Sequence, residues 1–148
     1  MNKKDFARLD FPPYKYHHLA LKYCKAGMIL LDSHEMGPAD QPLYYLFCHA
    51  IELSLKGFLR IKAGGYSSKC LKNTGHDIAY LHVICAKKGL SLDGRNYRYD
   101  RRLIRNLNRY YLGKEFEYMQ LGGLLLPEIA TVAEFAEVLV KSCYTISE

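Results

Sequence analysis

Three things are missing from this chain. No apolar run approaches the roughly 20 residues that a bilayer-crossing helix needs, so no membrane span is expected. No two cysteines are spaced C-x-x-C. The five present (Cys24, Cys48, Cys70, Cys85 and Cys143) are odd in number, which argues against a zinc site and against a disulfide framework. No histidine follows His82, so the second half of the chain lacks the side chain best suited to proton transfer near neutral pH. Internal repeats, low-complexity linkers and a convincing strand pattern are absent as well. The opening MNKKDFARLDFPPY has charge but no apolar core of a secretory signal. One domain over the 148 residues, cytoplasmic and with reduced thiols, is the expectation.

What is present is mostly helical punctuation. The FPPY prolines precede a segment, about Tyr14 to Ser33, in which Leu19, Tyr23, Ala26 and Leu30 recur at helical spacing. Asp40 and Pro42 predict the start of a second helix that continues to Lys62 and stops at AGG. YSSKCLKNTG reads as a polar, mobile loop. A third helix is predicted from His76 to Lys88, burying Ile78, Leu81, Ile84 and Cys85 and ended by Gly89. A fourth lies within GRNYRYDRRLIRNLNRYYLG, with Asp93 or Asp100 as its cap and Gly113 as its stop. KEFEYMQL alternates weakly and reads as extended. TVAE supplies a capping box between Thr131 and Glu134 that would start the last helix, running to Tyr144. The sum is an all-α up-and-down bundle of four or five helices.

The stretch FCHAIELSLKGFL belongs to the second helix. At 100° per residue Tyr45, His49, Glu52, Lys56 and Arg60 share one narrow stripe, and apolar residues fill most of the remaining circumference. This helix is expected at the centre of the bundle. Glu52 and Lys56, four apart with the acid first, form either a half-exposed ion pair contributing about 0.3–0.5 kcal/mol or a polar seam between helices.

CHAIELSLKGFL, then a glycine-bearing loop, then GHDIAYL, resembles the HEPN domain superfamily over Leu43 to Gly89. The resemblance implies a homodimeric bundle of four or five helices. It also implies a metal-independent endoribonuclease, often a toxin, or else an accessory or nucleotide-binding domain without cleavage activity. Catalytic members place a histidine four to six residues after an arginine. Here Arg105-Asn106 fits the first half, but Tyr110 or Tyr111 holds the histidine position, so the usual acid–base group is missing. His49 is the best substitute, with Arg105 holding phosphate.

The fourth helix carries a second pattern. Arg102, Arg105 and Arg109 fall within about 40° of Arg98, opposite Leu103, Ile104, Leu107, Tyr110 and Tyr111. Guanidinium forks match phosphate oxygens, and Tyr97 and Tyr99 can stack on unpaired bases. With Asn106, these residues form the expected site for RNA or another phosphate-rich ligand. A net charge of +6 (21 Lys and Arg against 15 Asp and Glu) permits such a partner. The ridge would equally suit an acidic protein, as in one half of a toxin–antitoxin or nucleotidyltransferase pair. His76-Asp77, with His49 and Asp100, also fits the ligand order of helical metal phosphohydrolases. A place at a helix start explains Asp77 without a metal, and no metal or cofactor is expected.

Overall fold

From Ala50 to Leu59 every residue is buried, polar and apolar alike. A helix covered over so long a stretch must be packed on most of its sides. A computed structural model of the chain, describing residues 11–35, 40–62, 66–116 and 125–147, shows how this is done. Among the described residues there are six helices and no strand. They are α1 (Pro13–Asp32), α2 (Gln41–Lys62), α3 (Ser68–Asn73), α4 (Ile78–Lys87), α5 (Tyr97–Leu112) and α6 (Ile129–Ser147). The protein is an all-α bundle. Helix α2 is its axis and touches α1, α4, α5 and α6.

The α1–α2 pair is set by two exchanges of ring against glycine. A Cβ on Gly27 of α1 would lie 2.8 Å from the Phe47 ring of α2. A Cβ on Gly57 of α2 would lie 2.6 Å from the His17 ring of α1. Each helix thus lends the other a flat spot, and the order of the contacts makes the two antiparallel. His17 is buried for this reason, while its neighbour His18 is exposed.

Several boundaries differ from expectation. The polar stretch YSSKCLKNTG is not an open loop throughout, because it contains α3. Ser67 caps that helix by accepting from the Cys70 backbone N at 3.1 Å, and its one buried side chain, Leu71, pins it to the core. Arg60 ties the neighbourhood together by donating to the carbonyls of Tyr66 (2.9 Å) and Phe11 (3.1 Å). Helix α4 starts at Ile78, with Asp77 as its cap and His76 in the turn before it. Helix α5 is capped by Asn96, not by Asp93 or Asp100. Helix α6 begins at Ile129, so Thr131 is already helical and the Thr131–Glu134 box does not start it. Tyr44 holds the approach to α6 by donating to the Pro127 carbonyl at 2.6 Å. In KEFEYMQL, Lys114–Phe116 form a turn, and residues 117–121 lie outside the described residues.

Cys24, Cys48, Cys85 and Cys143 are buried, Cys70 is exposed, and all five thiols are free. Burial pushes the Cys24 thiol up to about 11, so it packs as an apolar side chain and is a poor nucleophile. No helix among the described residues is long and apolar enough to cross a membrane.

Candidate functional site

Helix α5 has two faces of opposite character. Leu103, Ile104, Leu107 and Tyr111 are buried against the bundle. Arg98, Arg102, Arg105, Asn106 and Arg109 are exposed. None of the four arginines has a carboxylate partner among the described residues, and Arg109 lies over the Tyr110 ring, 5.9 Å from its centre. Eleven residues separate the first from the last, so the ridge runs about 16 Å along the axis. At its N-terminal end Tyr97 and Tyr99 are 44% and 56% exposed. Tyr97 stacks on His82 with ring centres 5.1 Å apart, while Tyr99 has no described ring partner.

The one acid within the ridge helix is engaged elsewhere. Asp100 is buried and gripped by Arg95, whose Nε donates to Oδ1 and Oδ2 at 3.1 Å and whose Nη2 donates to Oδ1 at 2.7 Å. The same guanidinium sits 5.3 Å from the Phe135 ring centre and 3.6 Å from Glu134. Arg95 therefore anchors the loop before α5 to α6 and is no part of the ridge.

The second feature is a polar cluster where α2, the turn before α4 and the end of α5 meet. Glu52 is 3% exposed. Its Oε1 accepts from Lys56 Nζ at 2.7 Å, and its Oε2 accepts from His76 Nδ1 at 2.9 Å and from the Tyr111 hydroxyl. Lys56 also donates to the Gly75 carbonyl at 2.8 Å, which the left-handed turn at Gly75 (φ +58°) presents to it. His49 Nδ1 lies 3.0 Å from the Tyr111 oxygen and 3.6 Å from Glu52 Oε2. Tyr23 of α1 packs edge-on against His49 and Tyr45 of α2 stacks on it, with centres at 4.5 and 5.7 Å. The Glu52–Lys56 pair is thus buried and cross-linked, not a half-exposed surface pair.

The proton positions follow from the partners. Burial pushes the Glu52 carboxyl up, but bonds from His49, Lys56 and Tyr111 and the Lys56 charge outweigh it and hold the group well below the usual carboxylate range. A carboxylate only accepts, so the Tyr111 proton points at Glu52 and His76 must carry its proton on Nδ1. Burial and the neighbouring carboxylate drive the Tyr111 phenol far up, so it stays neutral. Its single proton is spent on Glu52, so the His49 contact requires Nδ1–H to donate to the phenol oxygen. In their neutral forms both imidazoles therefore carry the lone pair on Nε2.

Of the residues singled out from sequence, Arg98, Arg102, Arg105, Asn106, Arg109, Tyr97 and Tyr99 share the exposed side of one helix. His49, Glu52 and Lys56 share the cluster. No contact joins Arg105 to His49: Arg105 is on the ridge, while His49 meets the buried side of α5 through Tyr111. Tyr111 and His76 are members that sequence reasoning placed elsewhere: Tyr111 as the filler of a missing histidine's position, His76 as part of a metal-ligand order. The metal-ligand order does not assemble. Asp77 caps α4, Asp100 is held by Arg95, and no cluster among the described residues could hold a metal ion. No family model, curated protein or solved structure matches this chain.

Proposed function

We propose that this protein binds RNA, and single-stranded RNA in particular, through the arginine ridge of α5. The carrying observation is the row Arg98, Arg102, Arg105 and Arg109, exposed along about 16 Å with no carboxylate partner among the described residues. A row of that length suits several successive phosphates better than one small anion. Tyr99 at the head of the row offers a ring face to an unpaired base. The likeness of CHAIELSLKGFL and GHDIAYL to HEPN domains points the same way and adds the expectation of a homodimer. The histidine missing from that family's pattern favours binding over its usual cleavage chemistry.

The test is binding of a fluorescent single-stranded RNA measured by anisotropy across a salt series. If all four arginines neutralise phosphates, log K falls against log salt with a slope of about −3. Arg105→Ala flattens the slope by about 0.7. Tyr99→Ala weakens binding by about 1–3 kcal/mol. Salt-independent binding, or none at micromolar protein, rejects the reading. A ridge that instead captures an acidic protein in stoichiometric amount supports the accessory-subunit alternative.

A further inference from the structure

Helix α1 has an outer side that the bundle leaves uncovered. His17, Ala20, Cys24 and Gly27 form its buried side, and the helix packs on α2 and α6. The opposite side carries Lys15, Lys22 and Lys25, all exposed and none paired with a carboxylate among the described residues. Among these lysines stand Tyr14, Leu19 and Ile29, which are 63%, 45% and 68% exposed. At 100° per residue the six lie within an arc of about 140° and extend about 22 Å along the helix. Phe11, half exposed, continues the face at its N-terminal end. Its backbone is pinned, the N donating to Ser68 Oγ at 2.9 Å and the carbonyl accepting from Arg60, and Lys15 Nζ lies 5.5 Å from its ring centre. From Phe11 to Leu31 the sequence has no acidic residue, and Asp32 closes the helix.

We propose that this face of α1 docks the protein on the surface of an anionic lipid bilayer. The kind of cation decides between partners. The cations of this face are all lysine, whereas the ridge of α5 is all arginine. Arginine forks onto phosphate and is enriched at protein interfaces, where lysine is depleted. A lysine instead lays its stem along apolar matter and keeps its ammonium hydrated, as a headgroup layer allows. Leu19 and Ile29 have nothing to give a polynucleotide, since they neither pair with phosphate nor stack on a base. At a bilayer they enter the boundary between headgroups and acyl chains, with Tyr14 and Phe11 at headgroup level. Three lysines near the surface strengthen binding by about fivefold each, so the attachment is reversible and depends on anionic lipid. It lies on the membrane without crossing it and needs no long apolar helix. The proposal does not rest on the RNA reading, because α5 packs on α2 and α4 and presents its ridge separately.

The test is flotation of the full chain with vesicles of phosphatidylcholine alone and of phosphatidylcholine with about one-third phosphatidylserine. Binding is expected on the second only, and it should fall steeply with salt. Lys15→Gln, Lys22→Gln and Lys25→Gln should each weaken it by about fivefold, and the triple variant by about 100-fold. Arg102→Gln and Arg105→Gln, on the ridge, should change it by less than about twofold. The chain has no tryptophan, so Ile29→Trp adds a single reporter. Its emission should move to the blue on the anionic vesicles and stay at its aqueous wavelength with phosphatidylcholine. All the substituted side chains are exposed, so melting temperatures should stay near the parental value. No binding to the anionic vesicles overturns the proposal, including the case in which the lysine variants weaken capture of RNA or an acidic protein instead. Vesicle binding that follows the ridge arginines and not the lysines overturns it as well. So does an unmoved tryptophan emission on bound vesicles, which marks attraction by net charge alone. The RNA reading stands or falls separately, on the salt series of Arg105→Ala.

Discussion

His82 and Glu52 are both buried titratable groups, yet they lose their stabilising role in different ranges of pH. His82 lies between Tyr97 and Phe135, and burial holds its imidazole down to about 4. Unfolding returns the ring to 6.5. The unfolded chain therefore takes up the proton first, and stability complete above pH 6.5 falls by about 3 kcal/mol on the way to pH 4. Glu52 is also held below its ordinary value, so its contribution is complete above 4.5 and lost below that pH. Urea midpoints measured from pH 7.5 to 3.5 should show the two losses in sequence. His82→Phe should flatten the upper one alone. Glu52→Gln should abolish the lower one and, at pH 7, destabilise the protein by about 3–5 kcal/mol, because it removes one partner of a buried ion pair. The stripe from Tyr45 to Arg60 was legible as a stripe. What covers it was not: the covering groups are a turn carbonyl at Gly75 and a tyrosine 59 residues along the chain. Helical spacing reports which residues share a face and says nothing of distant partners.

At the scale of the element, one side chain of α5 ties down the start of α4. Asn108 of α5 accepts from the Ile78 backbone N at 3.0 Å and donates to Asp77 Oδ1 at 3.1 Å. Asp77 in turn caps α4 through the Tyr80 N. Asn108→Ala leaves the first amide of α4 with the His76 carbonyl alone, at 2.9 Å, and should cost about 1 kcal/mol. Asp77→Ala should cost about 1 kcal/mol, and the double variant should cost less than the sum, which a denaturation cycle would show. Element boundaries were readable where a proline or a glycine fixed the chain, as at Pro12–Pro13 and Pro42 and at Gly89 and Gly113. They were misread where one residue decides. Leu71 is the one buried side chain of α3 within a polar sequence, and α6 opens at Ile129 ahead of the better-looking cap at Thr131.

At the scale of the molecule, arginines divide into those that hold the fold and those that face outward. Arg95→Ala would strand the buried Asp100 and should destabilise the protein by about 3–5 kcal/mol. Alanine at Arg98, Arg102 or Arg105 should stay within about 0.5 kcal/mol, since these side chains bond nothing described in the bundle. Thermal melts of the four variants would separate the classes. The ridge was legible because exposure follows directly from helical phase. The histidine cluster was not, because it is assembled from α2, the turn at His76 and the end of α5. The two ring-into-glycine contacts of α1 and α2 bear on that cluster too. Gly27–Phe47 and Gly57–His17 are ten residues apart on both helices, about 15 Å. Like two pins in a hinge plate, they allow one alignment, since a slip by one turn would drive both rings into neighbouring side chains. That alignment is also what sets Tyr23 edge-on against His49. A methyl group added at Gly27 or Gly57 would therefore change where an imidazole points in a site that neither glycine touches.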